Sequence, residues 1–142
     1  MTSGVGKVVK LLWAAPCSLV GVLVAAIAVL LGGRAVRASG VLEVTLSECE
    51  ASSPAFASHL RFRAIALGHV IVAVSRQELE QLRAHELIHV RQYERWGIAF
   101  FVAYAASSVW QLLNGRSAYW DNRFEVQARV LSAQGQQEER GA

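Results

Sequence analysis

The longest feature of the hydropathy pattern is an apolar run near the start of the chain. From Leu11 to Leu31 it reads LLWAAPCSLVGVLVAAIAVLL, 21 residues without a charged side chain. A helix of this length rises about 30 Å, which matches the hydrocarbon core of a bilayer. Gly32 and Gly33 follow the run and end it. The pattern therefore predicts an N-terminal transmembrane helix.

The same region has some features of a cleavable export signal. A basic start precedes the apolar run, and Val36-Arg37-Ala38 before Ser39 is a possible cleavage site. The run is longer than the signal core of about 7–15 residues, and Arg34 and Arg37 crowd the site. We favour a retained anchor over a cleaved signal. Both alternatives predict a protein of a bacterial membrane or cell envelope.

Three segments beyond the anchor have the composition of strands. These segments are residues 41–46, 60–67 and 70–74. The first is rich in β-branched residues, the second begins by alternating apolar and basic positions, and the third is continuously apolar. Gly68-His69 can form a tight turn between the last two. We expect residues 34–40 to be a linker, residues 47–58 a loop, and the strands a small antiparallel sheet of about three strands.

The hydrophobic spacing then changes to a helical period. Ser75 and Glu78 are typical of a capping box, and no proline or glycine interrupts the chain from there to Trp96. Gly97 is suited to end the helix. The spacing thus predicts one well-bounded helix between these signals.

Two more helices are predicted near the C-terminus. Residues 98–113 form an apolar stretch that is short for a membrane span, so we expect a buried or interfacial helix, with entry into the bilayer as the alternative. A last helix begins near Asp121, and its apolar stripe consists of Phe124, Ala128 and Leu131. The fold class is therefore α+β. The expected units are an anchor and linker (1–38), a folded domain (39–134) and a polar, frayed tail (135–142).

Composition narrows the functional classes. The chain has 142 residues, enough for one domain, and is 54% hydrophobic with only 18% charged residues. The net charge is +3 and no basic cluster is interleaved with aromatic residues, so nucleic-acid binding is excluded. Cys17 lies within the apolar run and Cys49 in a polar stretch, so we expect no disulfide between them.

The chemistry-bearing motif is His85-Glu86-Leu87-Ile88-His89, in the middle of the predicted helix. Two histidines four residues apart project from one helical face and can bind one Zn²⁺. Glu86 can reach a water on that ion without joining its coordination shell. There it would act as general base, taking the proton of the water and later delivering it to a leaving group.

A third ligand must come from another part of the chain. Glu125 lies near the start of the last helix, 36 residues after His89. If that helix returns antiparallel, it presents Glu125 across the motif. Two histidines and one glutamate would leave the fourth coordination position open, as a catalytic zinc site requires. Asp121 is the alternative ligand, although its position also suits a helix N-cap.

These residues resemble a known family. The motif His85-Glu86-x-x-His89 followed by Asn122-x-x-Glu125 is similar to the gluzincin branch of zinc metallopeptidases. The wider segments AHELIHVRQYERWG and AYWDNRFEVQA resemble small bacterial membrane-linked proteins with this motif. The resemblance covers residues 60–129 and implies a minimal zincin-like core: a small sheet, a helix with the HExxH motif and a glutamate-bearing helix.

The resemblance also implies a donor that stabilises an oxyanion, and no motif identifies it. Tyr119, Tyr104 and His69 are the candidates, although a glycine–histidine turn already explains His69. Gln92 lies on the same side of the helix as the ligands and is a candidate to support them. Trp96, Trp110, Tyr119 and Trp120 suit either a belt at a membrane interface or core packing.

Three functional hypotheses follow from the sequence. The first is a membrane-associated, zinc-dependent metallohydrolase, a peptidase that acts on peptide or protein substrates beside membrane lipid. The second is a non-catalytic, zinc-stabilised, membrane-anchored interaction module. The third is a metal-free interaction protein whose second apolar helix packs on a partner. The HExxH motif favours the first.

Overall fold

The computed structural model describes residues 4–48 and 62–141. Over these residues the chain forms four helices, α1 (Gly4–Leu30), α2 (Arg76–Trp96), α3 (Ala99–Leu113) and α4 (Arg123–Gly141). Its four strands are β1 (Arg34–Ala38), β2 (Val41–Thr45), β3 (Ala64–Leu67) and β4 (Val70–Ala73). The α+β class is confirmed. Most of the predicted loop 47–58, including Cys49, lies outside the described residues.

Residues 34–40 are not a linker, as expected from the sequence, but the first arm of a hairpin. Strand β1 pairs antiparallel with β2, from Arg34 opposite Thr45 to Ala38 opposite Val41. Ser39 and Gly40 form the turn with φ of 52° and 82°, both positive, as the twist of a two-residue hairpin turn requires. Because β1 is an exposed edge strand, it tolerates arginines that hide its strand pattern.

The sheet is mixed rather than antiparallel, and it has four strands rather than about three. Strands β3 and β4 form a second hairpin around Gly68-His69, as predicted. The two hairpins then join through a parallel pairing of β2 with β4, which gives the order β1-β2-β4-β3. The expected antiparallel sheet is wrong at this junction because hydrophobic spacing defines the faces of a strand and not its neighbours.

Both faces of the sheet are covered by helices. On one face, residues of α2 pack against the sheet in a cluster made of Val41, Ala66, Ile71, Ala73, Leu79 and Val90. On the opposite face, α1 packs through a cluster made of Ala25, Ala28, Val44, Val70 and Val72. Neighbouring residues of β4 thus alternate between two apolar environments. This explains why the sequence of β4 is continuously apolar.

Helix α1 approaches the sheet closely through small residues. A Cβ atom on Gly21 would lie 2.5 Å from the carbonyl oxygen of Leu67 and 2.7 Å from Val70 Cβ. Ser18 Oγ accepts a hydrogen bond of 3.1 Å from the backbone N–H of His69 and also lies 3.1 Å from its Nδ1 atom. Cys17 is buried where α1 meets α2 and α3. Helix α1 is therefore a layer of the folded core.

The other side of α1 is exposed and apolar, as shown by Leu12, Leu19, Leu23, Ile27 and Leu30. Residues 12–30 form a helix that is long and apolar enough to cross a membrane. A signal sequence or the core helix of a soluble protein would have the same length and composition.

Helix α2 has the bounds that the sequence predicts. Ser75 Oγ accepts a hydrogen bond of 3.2 Å from the backbone N–H of Glu78. At the other end, Gly97 has a φ of 56° and donates its N–H to the Tyr93 carbonyl at 2.7 Å. The carboxylate of Glu78 is buried against Arg63. Both ends of the motif-bearing helix are therefore fixed by local hydrogen bonds.

Helix α4 begins after Asn122 rather than at the expected cap, Asp121. Asn122 Oδ1 accepts the Phe124 N–H at 2.9 Å, whereas Asp121 accepts the N–H of Ser117 at 2.8 Å. Phe124 and Ala128 are buried, but Leu131 is 42% exposed. The expected frayed tail is helical to Gly141, because the residues beyond Gly135 are mostly good helix formers.

Candidate metal centre

Helix α2 presents both histidines of the motif on one face. His85 and His89 lie one turn apart, and their Nε2 atoms are 3.1 Å from each other. His89 is buried. Two imidazole nitrogens thus converge on one point beside the helix.

Helix α4 brings Glu125 to the same point. Glu125 Oε2 lies 3.2 Å from His85 Nε2, and Oε1 lies 3.4 Å from His89 Nε2. Ligand atoms at about 2.0–2.1 Å from a tetrahedral ion are about 3.3 Å from one another. The two imidazole nitrogens lie near this spacing from each other, and each lies near it from a different oxygen of Glu125, so the three side chains could hold one metal ion.

Gln92 determines which nitrogen of His89 faces the site. Its side-chain oxygen lies 2.8 Å from His89 Nδ1, and its Nε2 donates to the Phe124 carbonyl at 3.1 Å and to Gln127 Oε1 at 2.9 Å. Because both donations require the amide nitrogen, the oxygen must accept, and Nδ1 carries the proton. The lone pair of a neutral His89 ring is then on Nε2, toward Glu125.

We expect Gln92→Leu to weaken metal binding about 10–100-fold, because the His89 ring loses the acceptor that fixes its tautomer. The affinity is measured by competition with a chromophoric chelator. Gln81→Leu is the matched control, since Gln81 is exposed on the same helix. Equal affinities for the two variants would show that the Nδ1 contact has no influence on the metal.

Helix α3 holds the carboxylate of Glu125 in place. The Tyr104 hydroxyl donates to Glu125 Oε1 at 2.8 Å. Asn122 Nδ2 donates to the Tyr104 carbonyl at 3.0 Å and to Ser108 Oγ at 2.7 Å, which joins α3 to the start of α4. These contacts position the third ligand relative to the other two.

The Glu125 carboxylate is also suited to a cation. Its Oε2 is buried and lies 3.2 Å from His85 Nε2, whereas Oε1 accepts the Tyr104 hydroxyl and lies 3.4 Å from His89 Nε2. Burial raises the pKa of Glu125, but hydrogen bonds from His85, His89 and Tyr104 hold it well below its usual range. The surroundings of this candidate ligand therefore favour its charged form.

Glu86 lies beside this group without belonging to it. The side chain is buried, and burial raises its pKa although the charges of His89 and His85 act in the opposite direction. A backbone hydrogen bond from Ala66 of β3 orients the carboxylate. For His89, burial lowers the pKa, but the hydrogen bond and charge of Glu125 outweigh it and raise the pKa overall.

The candidate ligands lie in a cleft of about 700 Å³. Edge strand β3 forms one wall, and the opposite wall comes from α3, α4 and the segment between them. Most of the wall is apolar, with Phe62, Leu67, Leu82, Phe100, Phe101 and Trp120. The cleft therefore combines a polar metal-ligand group with an apolar lining.

Two of the three candidate oxyanion donors line the cleft. Tyr104 donates a hydrogen bond to Glu125. Burial, together with the charge of Glu125 and a hydrogen bond to it, raises the pKa of Tyr119 to about 12, so its hydroxyl keeps its proton. His69 lies away from the cleft, where it contacts Ser18 and, at 3.4 Å, Glu94. The interpretation of His69 as a turn histidine fits this position.

Arg129 is a polar residue of the cleft that sequence reasoning did not identify. Its Nη2 donates to the Trp120 carbonyl, and its guanidinium lies 5.2 Å from the centre of the Trp120 ring. Nη1 is buried without a hydrogen-bond partner among the described residues. Arg129 follows Glu125 by four residues, one helical turn further along α4. This spacing could have indicated that the two side chains share a face of the helix.

Comparison with protein-family models, curated proteins and solved structures gives no match for this chain.

Proposed function

We propose that this chain is a membrane-associated, zinc-dependent metallohydrolase, and specifically a peptidase with a minimal zincin-like core. In this proposal α1 is its single anchor in a bacterial membrane or cell envelope. The observation that carries the proposal is the convergence of His85, His89 and Glu125, whose ligand atoms all lie within 4.8 Å of one another. Glu86 stands next to this group in a cleft large enough for a substrate.

The donor set favours zinc over other common cations. Two imidazole nitrogens and one carboxylate suit Zn²⁺, whereas Ca²⁺ and Mg²⁺ prefer oxygen ligands in larger number. Three protein ligands leave one coordination position for water or substrate, as in catalytic zinc sites. The contact of Gln92 with His89 is the kind of supporting interaction that such sites use.

The residues of the cleft then have separate roles in hydrolysis. Zinc, when bound, supplies a Lewis acid that lowers the pKa of water and polarises a carbonyl group. The Glu86 carboxylate accepts a proton from the attacking water and delivers it to the leaving nitrogen. Burial suits it to this exchange by raising its pKa. Tyr119 keeps a hydroxyl proton at neutral pH and donates it as a hydrogen bond to the developing oxyanion.

Peptides fit the cleft better than compact small substrates. Strand β3 pairs with β4 on one side only among the described strands, and its other edge lines the cleft. An extended peptide can pair with the free backbone groups of such an edge. The apolar wall then favours apolar side chains near the cleaved bond.

Zinc content is the direct test of the proposed site. The detergent-purified protein is expected to contain one equivalent of zinc by elemental analysis, and Glu125→Ala and His85→Ala to lose most of it. Glu138→Ala is the matched control, because Glu138 is an exposed glutamate on the same helix as Glu125. A wild-type protein that binds no zinc after reconstitution would overturn the proposal.

A further inference from the structure

A second cavity lies between α2, α3 and α4, and none of the candidate metal ligands lines it. It is an open groove of about 750 Å³ and shares no lining residue with the cleft. Arg91 and Arg95 of α2 and Arg123 of α4 line it, and we call it the basic groove. Trp96 and Trp110 flank these arginines. The basic groove therefore combines positive charge with aromatic surface.

These arginines meet two unfavourable interactions in the protein alone, although Arg95, in the last turn of α2, is favoured by the helix dipole. Arg91 and Arg95 are four residues apart on one helix, a spacing at which like charges repel. Arg123 is the first residue of α4, at the positive end of the helix dipole. None of the three forms an ion pair with another described residue. A bound anion would relieve both the repulsion between Arg91 and Arg95 and the unfavourable position of Arg123.

The surface beside the basic groove is apolar. The outer face of α3 exposes Ile98, Val102, Val109, Leu112 and Leu113. Trp110, which is 64% exposed, belongs to both this face and the groove. Tryptophan is enriched where a protein crosses from the apolar to the polar part of a membrane. A ligand with an anionic head and an apolar tail would match both surfaces.

We propose that the basic groove binds the phosphate of an anionic glycerophospholipid, whose acyl chains lie along the outer face of α3. Clusters of arginine beside membrane-associated helices bind such headgroups. Gln111 gives the groove a preference among lipid headgroups. Its Oε1 is buried in the groove wall without a hydrogen-bond partner among the described residues. This acceptor suits a headgroup hydroxyl, so a glycerol headgroup is favoured over a bare phosphate.

The test uses the full chain in uncharged maltoside micelles, titrated with dioleoylphosphatidylglycerol and separately with dioleoylphosphatidylcholine. Binding is followed by tryptophan fluorescence. The wild type is expected to bind the anionic lipid at least about 10-fold more tightly than the neutral one. Replacement of the three groove arginines by glutamine is expected to weaken that binding about 100-fold.

A second triple variant tests whether the lipid binds at the basic groove or is attracted by the positive charge of the protein in general. Arg34→Gln, Arg37→Gln and Arg116→Gln remove the same number of charges from exposed positions outside the groove and should retain binding. Gln111→Leu should reduce the preference for phosphatidylglycerol over phosphatidic acid. Equal loss of binding in the two triple variants, or equal binding of both lipids by the wild type, would overturn the proposal.

Two further measurements are needed. One tests whether the bound anion is a lipid or a soluble phosphate, and the other tests whether the groove and the metal site are independent. Inorganic phosphate at about 50 mM is expected not to displace the lipid, because it cannot use the apolar face of α3. Displacement would assign the groove to a soluble phosphate and overturn lipid binding. The groove variant should keep the zinc content of the wild type, so failure of this proposal leaves the metal-site proposal unaffected.

Discussion

Glu86→Gln is expected to lower peptide hydrolysis by about 10²–10⁴-fold while zinc content stays at the wild-type level. Glutamine has nearly the same shape as glutamate but cannot accept a proton from the attacking water. The metal is retained because Glu86 lies outside the three-ligand group. The rate is measured with quenched fluorescent peptides that carry apolar residues on both sides of the cleaved bond, alongside elemental analysis.

Glu80→Gln is the matched control for this experiment. Glu80 is exposed on the same helix, where it pairs with Arg76, and does not line the cleft. Its substitution should leave the rate unchanged. If zinc-loaded Glu86→Gln and wild type cleave peptides at the same rate, the proposed chemistry fails. The non-catalytic, zinc-stabilised module is then the remaining hypothesis for a metal-containing chain.

Gly21→Leu is expected to destabilise the whole domain by about 3 kcal/mol, because the new side chain must displace α1 from the sheet. Its Cβ alone would lie 2.5 Å from a backbone oxygen that cannot move independently of the β3–β4 turn. The change is measured as a shift in thermal unfolding of the detergent-solubilised protein. Zinc content should fall at a lower temperature than in the wild type, since unfolding disperses the ligands.

Ala26→Leu is the control, because it adds the same side chain to the exposed face of α1 and makes the helix at least as apolar. It should leave the unfolding temperature close to that of the wild type. Equal unfolding temperatures for Gly21→Leu and Ala26→Leu would indicate that α1 is a simple anchor, detached from the sheet. Cleavage between Ala38 and Ser39 would remove both α1 and β1, so the packing of α1 favours its retention.

The elements that sequence alone predicts well are those with local signals. Helix α2 was predicted to within a residue because Ser75 and Gly97 provide a cap at each end. The candidate ligands His85 and His89 are predicted by their spacing on that helix. Glu125 was found because few carboxylates occupy a suitable place later in the chain, and the structure brings it to both histidines.

What the sequence did not predict depends on contacts between distant segments. The parallel pairing of β2 with β4 leaves no local signature, because each strand is apolar whichever neighbour it has. The sequence does not predict the packing of α1 on the sheet, because a membrane-spanning helix and a helix of the core can have the same apolar sequence. The unpaired nitrogen of Arg129 also depends on how α4 lies against the preceding turn.

The union of two hairpins has a consequence for how the domain folds. Each hairpin closes through a two-residue turn and needs only local contacts, but pairing β2 with β4 joins Leu42 to Val70 across a long crossover. The surface under α1 includes Val44 from one hairpin and Val70 from the other, so neither hairpin alone offers it. The surface under α2 comes mainly from the second hairpin, through Ala66, Ile71 and Ala73, with Val41 from the first. We therefore expect the complete surface under α1 to form only after the slow non-local pairing of β2 with β4.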